Sequence, residues 1–356
     1  MNMGPALIAV AWHPGAARAV APVVVAAERL GWRSVMATSE ASAPIVRRAG
    51  VEQLKVLTSV DQPAALLDEV QGPAVVLAGV SEGDTPEKHL IAAARVAGIP
   101  SCAVLDNWGR YEERFMGTMG AQALPNVIAV MNHEARRAIV AAGFFDGRLV
   151  VTGQPGLDEF ENMAPIDANV QAAARRRLGL PADSEVVVFA SQPLAQQFGR
   201  QLGYDQYDAI ALLDAVLPQT SCLVVAVHPR EDAGVLAARC PARVRLVRDY
   251  DPGNLYAAAD IVASCFSAAL TESLLAGRPT VSIQPRANGA DDLGTSVCGA
   301  AFIALDAEQL SSAFRDARTV STEQLSQHRA LLGIPSGATA RVMQLAEELS
   351  AANHRA

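Results

Sequence analysis

The stretch Ala259–Pro285, "ADIVASCFSAALTESLLAGRPTVSIQP", decides how the chain is read. Its "ADIVA" portion is an apolar run that ends in small residues, Ser264 to Ser267. A short helical pattern follows, carrying one carboxylate, Glu272, and then Gly277 and Pro279. A second apolar run, "VSIQP", comes next. Strands that are apolar on consecutive positions and separated by helices imply a parallel sheet covered on both faces.

The same rhythm runs outward in both directions. Upstream are "ALIAVAW", "RSVMAT", "PAVVLAGV", "SCAVLDNW", "NVIAVMN" and "RLVVTG", with helical patterns between them. Thr85 reads as a helix cap and Pro86 suits the first turn after it. Near "TGQPGLDEF" (Thr152 to Phe160) the rhythm breaks, and it resumes with "EVVVFA", "CLVVAVHP", "VRLVRD" and the opening stretch. The expectation is an α/β chain of two Rossmann-like, doubly wound parallel-sheet domains facing across a cleft. Residues 1–158 form the first, 159–334 the second, and 335–356 a C-terminal helix placed to pack back on the first. Arg175, Arg176 and Arg177 are expected on a solvated helix face rather than on a phosphate.

Length and composition fit two ordinary domains: 356 residues, 51% hydrophobic, with a net charge of -8. The acidic balance argues against nucleic acid as a partner and limits any membrane contact to a peripheral one. Five scattered cysteines, without a CxxC or a Cys/His cluster, point to neither zinc nor a disulfide framework and fit a cytoplasmic location. No glycine-rich dinucleotide fingerprint or P-loop occurs, which weakens dehydrogenase and P-loop readings. Asp249 and Asp251 flank Tyr250 beside Pro252-Gly253, where turn and cap chemistry is expected and a metal is not.

Ligands of open parallel sheets bind outside the carboxyl ends of the strands. In the second half that rule selects Ser191, Gln192, His228, Arg230, Tyr250, Ser264, Ser267, Ala268 and, one turn into its helix, Glu272. Small residues at Ser264 to Ser267 let a backbone come close to a phosphate, and a helix N-terminus there offers free N–H groups. His228 and Arg230 add donors, and Glu272 can accept two hydroxyls, as a ribose diol would offer. In the first half the rule selects His13, Glu82, Asp84 and Asp106, with Trp108, Arg110, Tyr111 and Arg114 in "DNWGRYEERF". On a helix, Arg110 and Arg114 would share a face, suiting a sugar or an anionic acceptor. The plainer alternatives are a solvent-facing Glu272, a structural His228, capping serines, and Trp108 and Tyr111 packed into the core.

The pattern "ADIVAS…LTESLLAGRPTV" resembles the donor-nucleotide motif of GT-B glycosyltransferases. In that family a Glu five residues before Gly-x-Pro holds the nucleotide ribose, and Glu272, Gly277 and Pro279 match. "VVFASQPL", "VVAVHPRED" and the serine-containing stretch resemble the bacterial sialyltransferase, polysialyltransferase and CDP-glycerol transferase branches. "VTGQPGLDEF" is similar to the interdomain segment of that superfamily and of UDP-sugar 2-epimerases. The resemblance implies a metal-independent glycosyltransferase without a bound cofactor, acting in cell-surface glycan or secondary-metabolite biosynthesis. Its substrates would be a nucleotide sugar and a small-molecule or glycan acceptor. His228-Pro229, Ser264 and Ser267 would hold the donor phosphate. Glu82 is the favoured base, followed by Asp106, with Asp84 and His13 also eligible. The motif that places a base in the first loop finds only Ala19 here. A UDP-sugar 2-epimerase-like enzyme and a non-catalytic nucleotide-sugar binding module are the alternatives.

Overall fold

The computed structural model describes residues 4–68, 72–287 and 298–353. The chain divides into two compact units, Met1–Asp158 with Gly333–Ala356, and Glu159–Leu332. The first is built on β1 (Ala6–Ala11), β2 (Arg33–Thr38), β3 (Leu54–Val56), β4 (Ala74–Ala78), β5 (Ser101–Val104), β6 (Val127–Val130) and β7 (Arg148–Val151). These strands are all parallel, in the order β3-β2-β1-β4-β5-β6-β7. The second unit is built on β8 (Val186–Ala190), β9 (Cys222–Ala226), β10 (Arg245–Val247), β11 (Ile261–Ser264), β12 (Thr280–Ile283) and β13 (Phe302–Ala304). They too are parallel, in the order β10-β9-β8-β11-β12-β13. Each sheet reverses its winding at its middle, between β1 and β4 and between β8 and β11. The expected class, two doubly wound parallel α/β sheets, is the one observed.

Burial on both faces explains the unbroken apolar runs. Alternate residues of a strand point to opposite sides. Leu7, Ala9 and Ala11 enter one core with Val75, Leu77, Cys102 and Val104. Ala6, Ile8 and Val10 enter another with Val76, Ala78, Leu90 and Ile91. Strands β3 and β13 carry no such signal. Each has three residues at a sheet edge, with partly exposed side chains, so no apolar run marks it.

The helix Ala338–Asn353 completes the first unit. Val342, Met343, Leu345 and Ala346 are buried in the same core as Leu7, Ala9 and Ala11. Its start is held by Asp158, whose two carboxylate oxygens accept the N–H groups of Ala338 and Thr339, both at 2.8 Å.

Two local expectations are corrected. Thr85 occupies the N-cap position of helix Pro86–Val96, but its hydroxyl makes no cap hydrogen bond. Arg175 is not on a solvated face. It is 6% exposed, and its guanidinium donates to the carbonyls of Ala258, Ala182 and Ser184 and to Asp260 Oδ2 at 2.6 Å. Asp260 Oδ2 also accepts the Val186 N–H at 2.7 Å, at the start of β8. These groups lie where β8 and β11 begin, the edge opposite their carboxyl ends. A buried guanidinium there binds the helix Ala168–Arg177 to the sheet.

Candidate functional site

In the second unit the switch point lies between β8 and β11, and the register places Ala190 beside Ser264 and Ser264 beside Ser282. The strand ends are stitched to one another. Ser264 Oγ donates to the Ala190 carbonyl at 2.6 Å, and Ser282 Oγ donates to the Cys265 carbonyl at 2.6 Å. Gln192 Oε1 accepts the Phe266 N–H at 3.0 Å. A hydroxyl has one proton to give. Ser264 has given its proton to Ala190, so as a donor to phosphate it is already spent. Ser191 is likewise committed, donating to Glu231 Oε1 at 3.0 Å.

The helix after β11 runs from Ala269 to Leu275 with Ala268 at its N-cap, two residues later than the sequence reading placed it. Ser267 caps it. Its Oγ accepts the Ala269 N–H at 3.2 Å and its carbonyl accepts the Leu270 N–H at 3.1 Å. Those two N–H groups are therefore satisfied within the chain. Glu272 is 6% exposed, which removes the solvent-facing alternative. Its Oε2 accepts the Tyr256 hydroxyl at 2.7 Å, and the Tyr256 ring packs on Phe160.

His228 follows β9 in a closed turn. Its backbone N–H donates to Glu231 Oε2 at 3.0 Å, and the Glu231 N–H donates to the His228 carbonyl at 2.9 Å. The Arg230 N–H donates to His228 Nδ1 at 3.1 Å. Glu231 Oε1 also accepts from Gln206 Nε2 at 3.2 Å. Burial, aided by the nearby Arg230 cation, pushes the His228 imidazole down to about 4, so it is neutral at pH 7. Burial pushes the Glu231 carboxyl up, against the hydrogen bonds it accepts. Tyr250 is partly buried after β10. Asp251 caps the helix Pro252–Ala258 through the Asn254 N–H at 2.8 Å, so cap chemistry is what Asp251 supplies.

The first unit gathers its charged residues around the ends of β4 and β5. Glu82 is exposed and pairs with Arg110 at 2.9 Å. Asp84 pairs with His89 Nε2 at 2.8 Å. Asp106 is bound by Arg114 Nη2, and Gly15, near the start of helix Pro14–Arg29, leaves the room its Oδ2 occupies, because a Cβ there would overlap it. His13 is the N-cap residue of that helix. The expectation that Arg110 and Arg114 share a helix face is overturned. Arg110 precedes the helix Tyr111–Phe115 with a φ of 49°, while Arg114 is 8% exposed and turned to Asp106, the Val80 carbonyl and the Asn107 carbonyl. Arg114 thus braces Asp106 from inside the unit. Trp108 is 8% exposed and belongs to the packing of the unit, whereas Tyr111 stays half-exposed.

Three buried charges escaped the sequence reading. Glu87 Oε1 accepts the Trp12 N–H and the Ser81 hydroxyl, both at 2.7 Å, joining the ends of β1 and β4 at their switch point. Lys88 is 2% exposed and donates to the Ser81 carbonyl, and burial lowers its pKa. Glu87 sits at the head of the apolar stripe Leu90–Ile91–Ala94, a spacing that could have exposed it. Glu231 stands directly after Arg230. Among the described residues, no three His, Cys, Asp or Glu side chains gather as a metal ion would require. No described helix is long and apolar enough to cross a membrane.

No protein-family model and no curated protein sequence matches the chain. Solved structures do match it along its whole length. The UDP-GlcNAc 2-epimerase from Neisseria meningitidis, solved bound to UDP-GlcNAc, is 12% identical with a TM-score of 0.69, over 96% of this chain and 100% of that one. The glycosyltransferase of kitacinnamycin is 18% identical with a TM-score of 0.59, over 98% and 100%. The calicheamicin glycosyltransferase CalG4 is 14% identical with a TM-score of 0.61, over 99% of each chain. At such identities the likeness is one of fold. The chain has the two-domain α/β fold that GT-B glycosyltransferases and UDP-GlcNAc 2-epimerases share.

Proposed function

We propose that the protein is a GT-B glycosyltransferase that moves a sugar from a nucleotide-activated donor to an acceptor hydroxyl without a metal ion. The observation that carries this reading is a buried carboxylate, Glu272, on the helix that follows the switch-point strand β11. Held in place by the Tyr256 hydroxyl, that carboxylate stands beyond the carboxyl end of β11, where it can accept the hydroxyls of a ribose diol. His228 offers a neutral hydrogen-bond donor to the phosphate. Gln192, Arg230 and Tyr250 lie on the loops after β8, β9 and β10 and would hold the rest of the donor. In the first unit, Glu82 is the group for deprotonating the acceptor, since it is exposed and paired with Arg110 at the surface. Asp106 is bound to the buried Arg114 and comes second, ahead of Asp84 and His13.

A thermal-shift panel of UDP, CMP, CDP, GDP and dTDP tests the reading. Selective stabilisation by one of them is expected, about 2.7 kcal/mol at 100 times its Kd. No shift with any of them would refute it. Activity is expected to persist in excess EDTA. Loss on chelation, restored by magnesium or manganese, would reverse that part.

Glu272→Gln is the sharper variant. It keeps an oxygen for Tyr256 but removes the charge. A hydrogen bond to a charged group contributes about 1.5–3 kcal/mol, so nucleotide affinity should fall roughly 10- to 150-fold while the melting temperature barely moves. Glu272→Ala should lower both, because Tyr256 then loses its acceptor. Isothermal titration that finds parental affinity in both variants would remove Glu272 from the site.

A second reading, a UDP-sugar 2-epimerase-like enzyme, is favoured by the higher TM-scores of the epimerases, 0.69 against 0.59 and 0.61. Incubation with UDP-GlcNAc alone separates the two. Conversion to the 2-epimer without an acceptor supports the second reading, whereas transfer that requires an acceptor supports the first. A binding module would take up the nucleotide and turn over neither way.

A further inference from the structure

We infer that Glu231 is a positioning residue for His228: its carboxylate closes the His228–Glu231 turn, seats the Arg230 N–H on Nδ1, and so holds the imidazole as the neutral tautomer with its proton on Nε2. A ring nitrogen that accepts a backbone N–H cannot itself carry a proton. At 3.1 Å, the Arg230 N–H assigns Nδ1 as that acceptor. The turn is not left to chance. Glu231 accepts the His228 N–H through one oxygen, and Ser191 Oγ and Gln206 Nε2 through the other. Those partners come from the loop after β8 and from the first residue of helix Gln206–Val216, so the carboxylate fixes the His228 turn to two further elements. Glu231 is 5% exposed, and a buried carboxylate with three donors is a rigid anchor.

The consequence extends the proposed nucleotide site and rests on it. His228 meets a phosphate oxygen through Nε2–H as a neutral donor. It neither gives up that proton nor adds a second cation beside Arg230. The charge acting on the ring is that of Arg230, from its own turn; burial and then this charge hold the imidazole's pKa down to about 4, so the ring is neutral near pH 7.

The test is long-range 1H–15N correlation NMR on the full chain labelled with 15N-histidine. His228 is one of six histidines and is assigned by its disappearance in His228→Asn. The expected spectrum has a bare Nδ1 and a protonated Nε2, unchanged from pH 8 down to about 5.5. Glu231→Gln retains an oxygen for the His228 N–H and should keep that pattern. Glu231→Ala should give a mixture of tautomers and a ring that titrates nearer 6.5. Glu231→Asp withdraws the carboxylate by one methylene, should also release the tautomer, and serves if the alanine chain does not fold. An Nδ1–H or mixed tautomer in the parent overturns the inference, and so does a parental pattern in both Glu231→Ala and Glu231→Asp. With UDP as the probe, Glu231→Ala and His228→Ala should each weaken binding roughly 10-fold, and the double variant no further. Independent, multiplying losses would also overturn it. The NMR pattern needs no ligand, so failure of the parent to bind any nucleotide would refute the proposed function while leaving this result standing.

Discussion

Arg175→Ala is expected to destabilise the second unit by about 3–5 kcal/mol, the cost of breaking a buried ion pair from one side. The side chain serves three carbonyls and Asp260 at once. Removing it leaves the buried Ala258 carbonyl without this donor, at roughly 1–3 kcal/mol. It also detaches the helix Ala168–Arg177 from the start of β8 and β11. Since a domain is stable by about 5–15 kcal/mol, a large share of the total disappears. Arg175→Lys should recover little, because an ammonium cannot reproduce the planar fork that reaches all four partners. Urea unfolding followed by circular dichroism measures this. A midpoint equal to the parent's would show that Arg175 is not the anchor described.

Ending the chain at Gly333 should cost the first unit even more. Val342, Met343 and Leu345 are buried, and each contributes about 1.5–3 kcal/mol. Their loss uncovers Val75 and Leu77 on β4 and Cys102 and Val104 on β5, and it removes the pairs that Asp158 makes with the helix start. At roughly 5–9 kcal/mol in sum, this approaches the stability of a whole domain. Hydrogen–deuterium exchange is the measurement. Amides of β4, β5 and helix Pro14–Arg29 should lose protection in the shortened chain, and unchanged protection there would contradict the packing.

The sheets were legible because parallel strands covered on both faces leave unbroken apolar runs, as in Ala74–Ala78 and Val186–Ala190. Edge strands β3 and β13 were not, since three half-exposed residues make no pattern. Residues at strand ends were legible as a set through the carboxyl-end rule. Their bonds were not. Nothing in "SCFS" says that Ser264 gives its proton to a carbonyl or that Ser267 occupies the first N–H groups of the next helix. Arg175 and Arg114 were misread for one reason. A guanidinium looks solvated in sequence, yet its flat fork can be buried when carbonyls and a carboxylate surround it. Glu231 and Lys88 show the same in other charged groups, residues in polar surroundings of sequence that the fold takes inside.

The bonds from Asp158 to Ala338 and Thr339 span 180 and 181 positions of the chain, with the whole second unit threaded between them. Synthesis runs in one direction, at about 5–20 residues per second. The first unit therefore waits roughly 10–40 seconds after Asp158 is made for the helix that finishes its core. Over that interval the second unit is made, and all of its own strands precede the helix. Of the two units, the one begun first is the one completed last, and its uncovered face on β4 and β5 is where a chaperone would be needed.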